Sequence, residues 1–229
     1  MEVNYMATLV TQLGTTTGSQ RQIRSNRLLS SGVLAGPFYV ALALAQAFTR
    51  PGFDLRRHDI SLLTNGSLGW IQIGNFLISG VLVIGAATGL RHALATGPTR
   101  TWGPRLVAAY GACIALAGIF VADPMGGFPP GSAQATAMSW HGGLHLLCGA
   151  VGFLALITAC FVFACRFFHE GRRGWGIYSA ANGALYLVTF FGSVFVGQSM
   201  PGLSVLGLWI AVLLGWSWLT AVCAKGVPA

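Results

Sequence analysis

The chain has 229 residues, of which 54% are hydrophobic and 8% charged, with 32 glycines and a formal net charge of +8. So apolar a composition excludes an ordinary water-soluble domain and points to lipid as the solvent. The positive charge does not indicate a nucleic-acid partner, because the basic residues are spread through short gaps between long apolar runs.

Residues 28–49, 60–90, 106–122, 146–165, 174–197 and 202–224 contain no Asp, Glu, Lys or Arg. Each is long enough, or nearly so, to cross a hydrocarbon layer of about 30 Å as a helix. Backbone groups in lipid must be bonded internally, which runs of this length achieve as helices. The expected fold is therefore an all-α membrane protein, a bundle of six transmembrane helices. Residues 1–27 are expected to form a flexible cytoplasmic N-terminal tail, because the stretch up to Gln20 is polar and lacks the pattern of a signal peptide. Residues 28–224 make the transmembrane domain and 225–229 the C-terminus.

In chain order, the first helix spans about Leu28–Phe48, with Pro37 as a kink. A loop follows to about Leu68, in which Asp59-Ile60-Ser61 reads equally as the capped start of a short turn or as a reactive group. The second helix covers about Gly69–Leu90, with Trp70 at an interfacial position. Its Gln72 and Asn75 are expected to bond to neighbouring helices. The third helix covers about Leu106–Ala122. A Gly/Pro-rich loop, DPMGGFPPGSAQATAMSW, leads to the fourth helix, Trp140–Cys165. The last charge-free stretch, Gly174–Ala224, is too long for one crossing and is expected to break at QSMPG, Gln198–Gly202.

Ten basic residues fall at the termini and in the second and fourth gaps, against three (Arg50, Arg56, Arg57) in the first, third and fifth gaps. By the positive-inside rule both termini are expected in the cytoplasm, in a chain of the cell membrane. The five cysteines all lie within apolar runs, where buried thiols acting as small hydrophobes are expected.

The polar chemistry gathers on the expected outer side. His58, His141 and His145 and the acids Asp54, Asp59 and Asp123 lie there. His141 and His145 are spaced i, i+4, so both occupy one helical face about 6 Å apart, a spacing that suits two ligands of one metal ion. Asp123 ends the third helix and is placed to act as a third ligand, a general acid or base, or an imidazole partner. His58, Asp59 and Ser61 stand beside that cluster. Candidate catalytic residues are thus Asp123, His141, His145, His58 and Ser61. The candidate metal ligands are His141, His145 and Asp123, for a divalent ion such as zinc. Against these stand plainer readings: interfacial histidines bonded to backbone or water, and an Asx turn at Asp123-Pro124. Arg56 and Arg57 read as contacts to lipid headgroups.

The segments RRHDISLLTNGSLGWIQIGNFLISG, GIFVADPMGGFPPG and SWHGGLHLL resemble the DUF998 family of bacterial multi-pass membrane proteins. In that resemblance His58, Ser61, Leu63, Gly69-Trp70, Asn75-Phe76, Asp123-Pro124, His141 and His145 carry the family pattern. It implies that the outer-side residues act as a unit and implies no particular reaction. A looser chemical likeness is to membrane hydrolases of the alkaline ceramidase and adiponectin-receptor type, which hold zinc by histidines beside an Asp and a Ser. This chain differs in having six apparent helices rather than seven.

Two functional classes follow. One is a membrane-embedded enzyme with a polar His/Asp site at the extracytoplasmic face, acting on a lipidic or isoprenoid substrate. Its chemistry is metal-assisted hydrolysis or acid catalysis by a carboxyl of raised pKa, with aromatic side chains stabilising cationic character. The other is a non-enzymatic carrier, sensor or assembly factor that binds a lipid or small solute between helices. Membrane lipids and an apolar small molecule are the expected partners.

Overall fold

The structure is a computed structural model; it describes residues 2–94, 97–132, 137–197 and 199–226, with side chains from residue 22 onward. Met1, residues 227–229 of the expected C-terminus and Gln198 of the expected break lie outside the described residues. Six helices follow one another: α1 (Glu2–Thr49), α2 (Gly69–Ala93), α3 (Pro98–Ile119), α4 (Trp140–His169), α5 (Arg173–Val196) and α6 (Pro201–Ala221). A 3-10 turn, Ile60–Thr64, lies in the first loop, and a π turn, Val222–Gly226, extends α6. Six segments are long and apolar enough to cross a membrane, the first being Gln22–Thr49. The chain is an all-α, multi-pass membrane protein.

The helices extend past the apolar runs at several ends. α1 reaches back to Glu2, and α3 starts at Pro98 rather than near Leu106, taking in the basic stretch RTWGPR. Proline at the first position of α3 costs no hydrogen bond, since that N–H has no partner within a helix anyway. α4 starts at Trp140 as expected, because Ser139 caps it by accepting from Gly142 N at 3.0 Å. It ends at His169 and is closed by Gly171, whose φ of 72° allows Arg172 N to donate to Phe167 O at 2.8 Å and Gly171 N to Phe168 O at 3.1 Å.

Each helix packs on the next, and α6 closes back on α1. One end of the bundle therefore carries the α1–α2, α3–α4 and α5–α6 connections (the loop end), and the other carries both termini (the terminal end). α2 and α3 approach most closely at two glycines. A Cβ on Gly80 would lie 2.6 Å from Gly111 O, and one on Gly111 would lie 2.9 Å from Gly80 O.

The expected helix–helix role of Gln72 and Asn75 holds. Gln46 Nε2 donates to Gln72 Oε1 at 2.7 Å, and Asn75 Nδ2 donates to Tyr39 O at 3.0 Å. Ser79 Oγ continues the chain to Asn75 Oδ1 at 3.3 Å. These four side chains are buried between α1 and α2, and their bonds pair groups that lipid and core would otherwise leave alone, with Gln46 Oε1 and Gln72 Nε2 remaining unpartnered.

Candidate functional site

Below the loop end the six helices leave a cavity of about 440 Å³. Its wall is apolar and aromatic. Tyr39, Phe76, Tyr110 and Ile114 come from α1–α3; Phe153, Phe190, Trp209 and Trp216 come from α4–α6. Gly149 of α4 lines it too, and a Cβ there would meet nothing within 4 Å. Leu146 of α4 and Val194 of α5 line the cavity while each is 62% exposed, so it reaches the side of the bundle between those helices. A lateral mouth at an apolar surface is an entry route for a molecule dissolved in lipid.

The carboxyl, imidazole and hydroxyl side chains on this wall are those of Asp59, His145, Ser61, Tyr39 and Tyr110. Asp59 is the residue before the 3-10 turn, with extended φ and ψ of −70° and 151°. Its side chain makes no capping bond, and its buried Oδ1 has no hydrogen-bond partner. Burial pushes the carboxyl up to about 6, with the nearby His58 pulling weakly the other way. A carboxyl held so is a proton donor near neutral pH.

His145 faces the same cavity from α4 and is 7% exposed. Its Nδ1 lies 2.9 Å from Ala117 O and 2.8 Å from Phe120 O, at the C-terminal end of α3 where carbonyls lack helical partners. Carbonyls only accept, so Nδ1 carries the hydrogen. Nε2 is then left with its lone pair, as a base or an acceptor.

The remaining expected site residues are engaged elsewhere at the loop end. Asp123 accepts from Ser139 N at 2.8 Å and from Ser139 Oγ at 2.5 Å. Those two bonds hold its carboxyl below the usual carboxylate range. Because Ser139 is the cap of α4, Asp123 ties the end of α3 to the start of α4. The fit is tight: a Cβ on Gly142 would lie 2.2 Å from Asp123 Oδ2. His141 Nδ1 lies 3.0 Å from Ser139 Oγ, 3.2 Å from Val121 O and 4.0 Å from Asp123 Oδ1. The ring joins this clasp at the surface and is not among the residues lining the cavity.

His58 is buried, at 3% exposure, between Phe53 and Phe128. Its Nδ1 accepts from Asp54 N at 2.9 Å, so Nε2 carries the hydrogen and donates to Gly126 O at 3.1 Å. Nδ1 is thus spent within the first loop and Nε2 joins that loop to the second. Gly126 allows this contact, with a φ of 65° and room for a Cβ only 3.0 Å from His58 Cδ2. His58 therefore positions the neighbouring Asp59.

Arg50 lies outside the expected set of site residues. It is 8% exposed and donates to the carbonyls of Leu63 and Asn65, holding the 3-10 turn over the cavity. Its guanidinium also lies 5.1 Å from the Phe128 ring centre. The one signal for it was an arginine directly at the end of an apolar run.

The i, i+4 histidines thus share a helix face, but His145 turns Nδ1 to carbonyls at the end of α3 and His141 turns Nδ1 to Val121 O just beyond it. Among the described residues no group of three His, Cys, Asp or Glu could hold a metal ion. Asp123, His141 and His145 form no such group, and Asp59 and His145 are the carboxyl and the imidazole that line the cavity.

A model of the family described as protein of unknown function, DUF998, matches residues 33–225. No curated protein and no solved structure matches the chain.

Proposed function

The chain belongs to the DUF998 family, and on that premise we propose that it binds the apolar chain of a lipidic or isoprenoid molecule in the cavity and carries out acid–base chemistry on it. The molecule enters sideways between α4 and α5. Its apolar part packs against the aromatic wall, and its reactive end lies at Asp59, Ser61 and His145. Asp59 donates a proton to an alkene carbon, leaving a carboxylate and a carbocation. The faces of Phe76, Phe153, Phe190, Trp209 and Trp216 stabilise the cationic charge. Loss of a neighbouring proton to His145 Nε2 then shifts the double bond with no other reactant. Ser61 orients the reactive end.

The observation that carries this reading is the buried, unpartnered Asp59 Oδ1 on the wall of a mainly apolar cavity. A carrier reading also has an observation in its favour, since aliphatic and aromatic side chains form most of that wall.

The test uses the full chain in nanodiscs made with its host membrane lipids, transferred to D2O, with bound lipid read by mass spectrometry. The wild type is expected to retain an apolar lipid and to place deuterium in it. Asp59→Asn should retain the lipid but lose the label. Gly149→Phe, which fills the cavity without striking the protein at Cβ, should lose the lipid. Lipid bound by the wild type without label would replace the enzyme with the carrier. No lipid in the wild type would overturn both.

A further inference from the structure

At the terminal end, α2 and α3 enclose a second depression of about 260 Å³, remote from the cavity. Arg91, from the last turn of α2, and Arg100 and Arg105, from the first turns of α3, all line it. Three arginines lining one depression, with the Arg105 guanidinium also 5.6 Å from the Trp102 ring centre, concentrate positive charge that an anion would offset. Among the described side chains none of the three pairs with a carboxylate; Glu170, also at the terminal end, is held by Arg166 at 2.6 Å and Arg172 at 3.8 Å. The start of α3 adds the positive end of its helix dipole and the hydroxyl of Thr101. Beneath the arginines the lining turns apolar, with Ile84 and Ala108 facing the same space.

A basic rim above an apolar floor, at the end of a membrane helix pair, matches a phosphate headgroup with an acyl chain below it. Arginine suits phosphate because its planar fork bonds two oxygens at once. We propose that Arg91, Arg100 and Arg105 form a binding site for the phosphate of an anionic phospholipid, seated between α2 and α3.

The test titrates the purified full chain in detergent with phosphatidylglycerol, phosphatidylcholine or inorganic phosphate, reading adducts by native mass spectrometry and the melting temperature. Phosphatidylglycerol is expected to bind and to raise the melting temperature, with phosphatidylcholine and inorganic phosphate doing neither. Each of Arg91→Gln, Arg100→Gln and Arg105→Gln should weaken phosphatidylglycerol binding about fivefold, in line with the worth of one basic residue near an anionic lipid surface. The triple variant should lose it, while Arg56→Gln/Arg57→Gln at the loop end should keep it. Should the triple variant fail to fold, the three single variants decide. Unchanged affinity in the variants, or equal binding of phosphatidylcholine, would overturn the site. Inorganic phosphate matching phosphatidylglycerol would overturn the lipid as its occupant.

Discussion

Asp59 precedes a helical turn, where a carboxylate would normally accept from free backbone N–H groups, yet its side chain makes no such bond. The position leaves the carboxyl against the cavity, and its raised pKa has a measurable consequence. Between about 4 and 6 the folded chain keeps a proton that the unfolded chain, with an ordinary value of 3.8, has released. The folded state thus binds more protons there, and stability falls as pH rises through that window. The full effect is on the order of 2–3 kcal/mol for a shift of this size. Melting of the wild type should show that decline, and Asp59→Asn should flatten it while being the more stable of the two above pH 6. Parallel curves for the two proteins would mean that Asp59 titrates normally. His145 shows the complementary point. Its ring could be placed near the site from its helix position alone, but which nitrogen is free depends on two carbonyls, Ala117 O and Phe120 O, at the end of α3.

At the scale of elements, the α3–α4 corner depends on one serine. Ser139 caps α4 through Gly142 N and holds both oxygens of Asp123. Ser139→Ala should therefore cost about 1–2 kcal/mol, the usual range for losing a cap with a charge-assisted bond attached. Asp123→Asn should cost less, since one amide oxygen still accepts from Ser139 N. Denaturation in mixed micelles orders the two variants, and a larger loss for Asp123→Asn would place the strength of the corner in the carboxylate instead. The same logic explains α3's early start. A search for charge-free runs stops at Arg105, whereas a helix continues for as long as its long side chains can reach the interface and Pro98 can open it.

At the scale of the whole molecule, the loop end carries the clasps and the cavity-lining Asp59 and His145, and the terminal end carries most of the arginines. The basic asymmetry expects the terminal end to face the cytoplasm. Reporter fusions at Gly97 and Ser132, which lie in connections at opposite ends of the bundle, should report inside and outside respectively. Reports from a single side would contradict the six-helix topology.

The six spans were legible because lipid leaves the backbone one solution, and a run of about 20 uncharged residues declares it. The end of the chain's polar chemistry was legible for a related reason: ionisable groups are costly within lipid and collect in the loops. The division of labour among those groups was not. Asp123, His141 and His58 share a side of the bundle with Asp59 and His145, and nothing in their spacing separates the two sets. What separates them is contact across distant stretches of chain: Ser139 on Asp123, Gly126 on His58, Ala117 and Phe120 on His145. The cavity itself belongs to no single helix, since all six contribute to its wall. Composition determined that this chain is a membrane bundle, because solvation acts on each residue separately. Only the tertiary structure decided which carboxyl remains unbonded beside apolar space, because hydrogen-bond partners and voids are properties of how the helices meet.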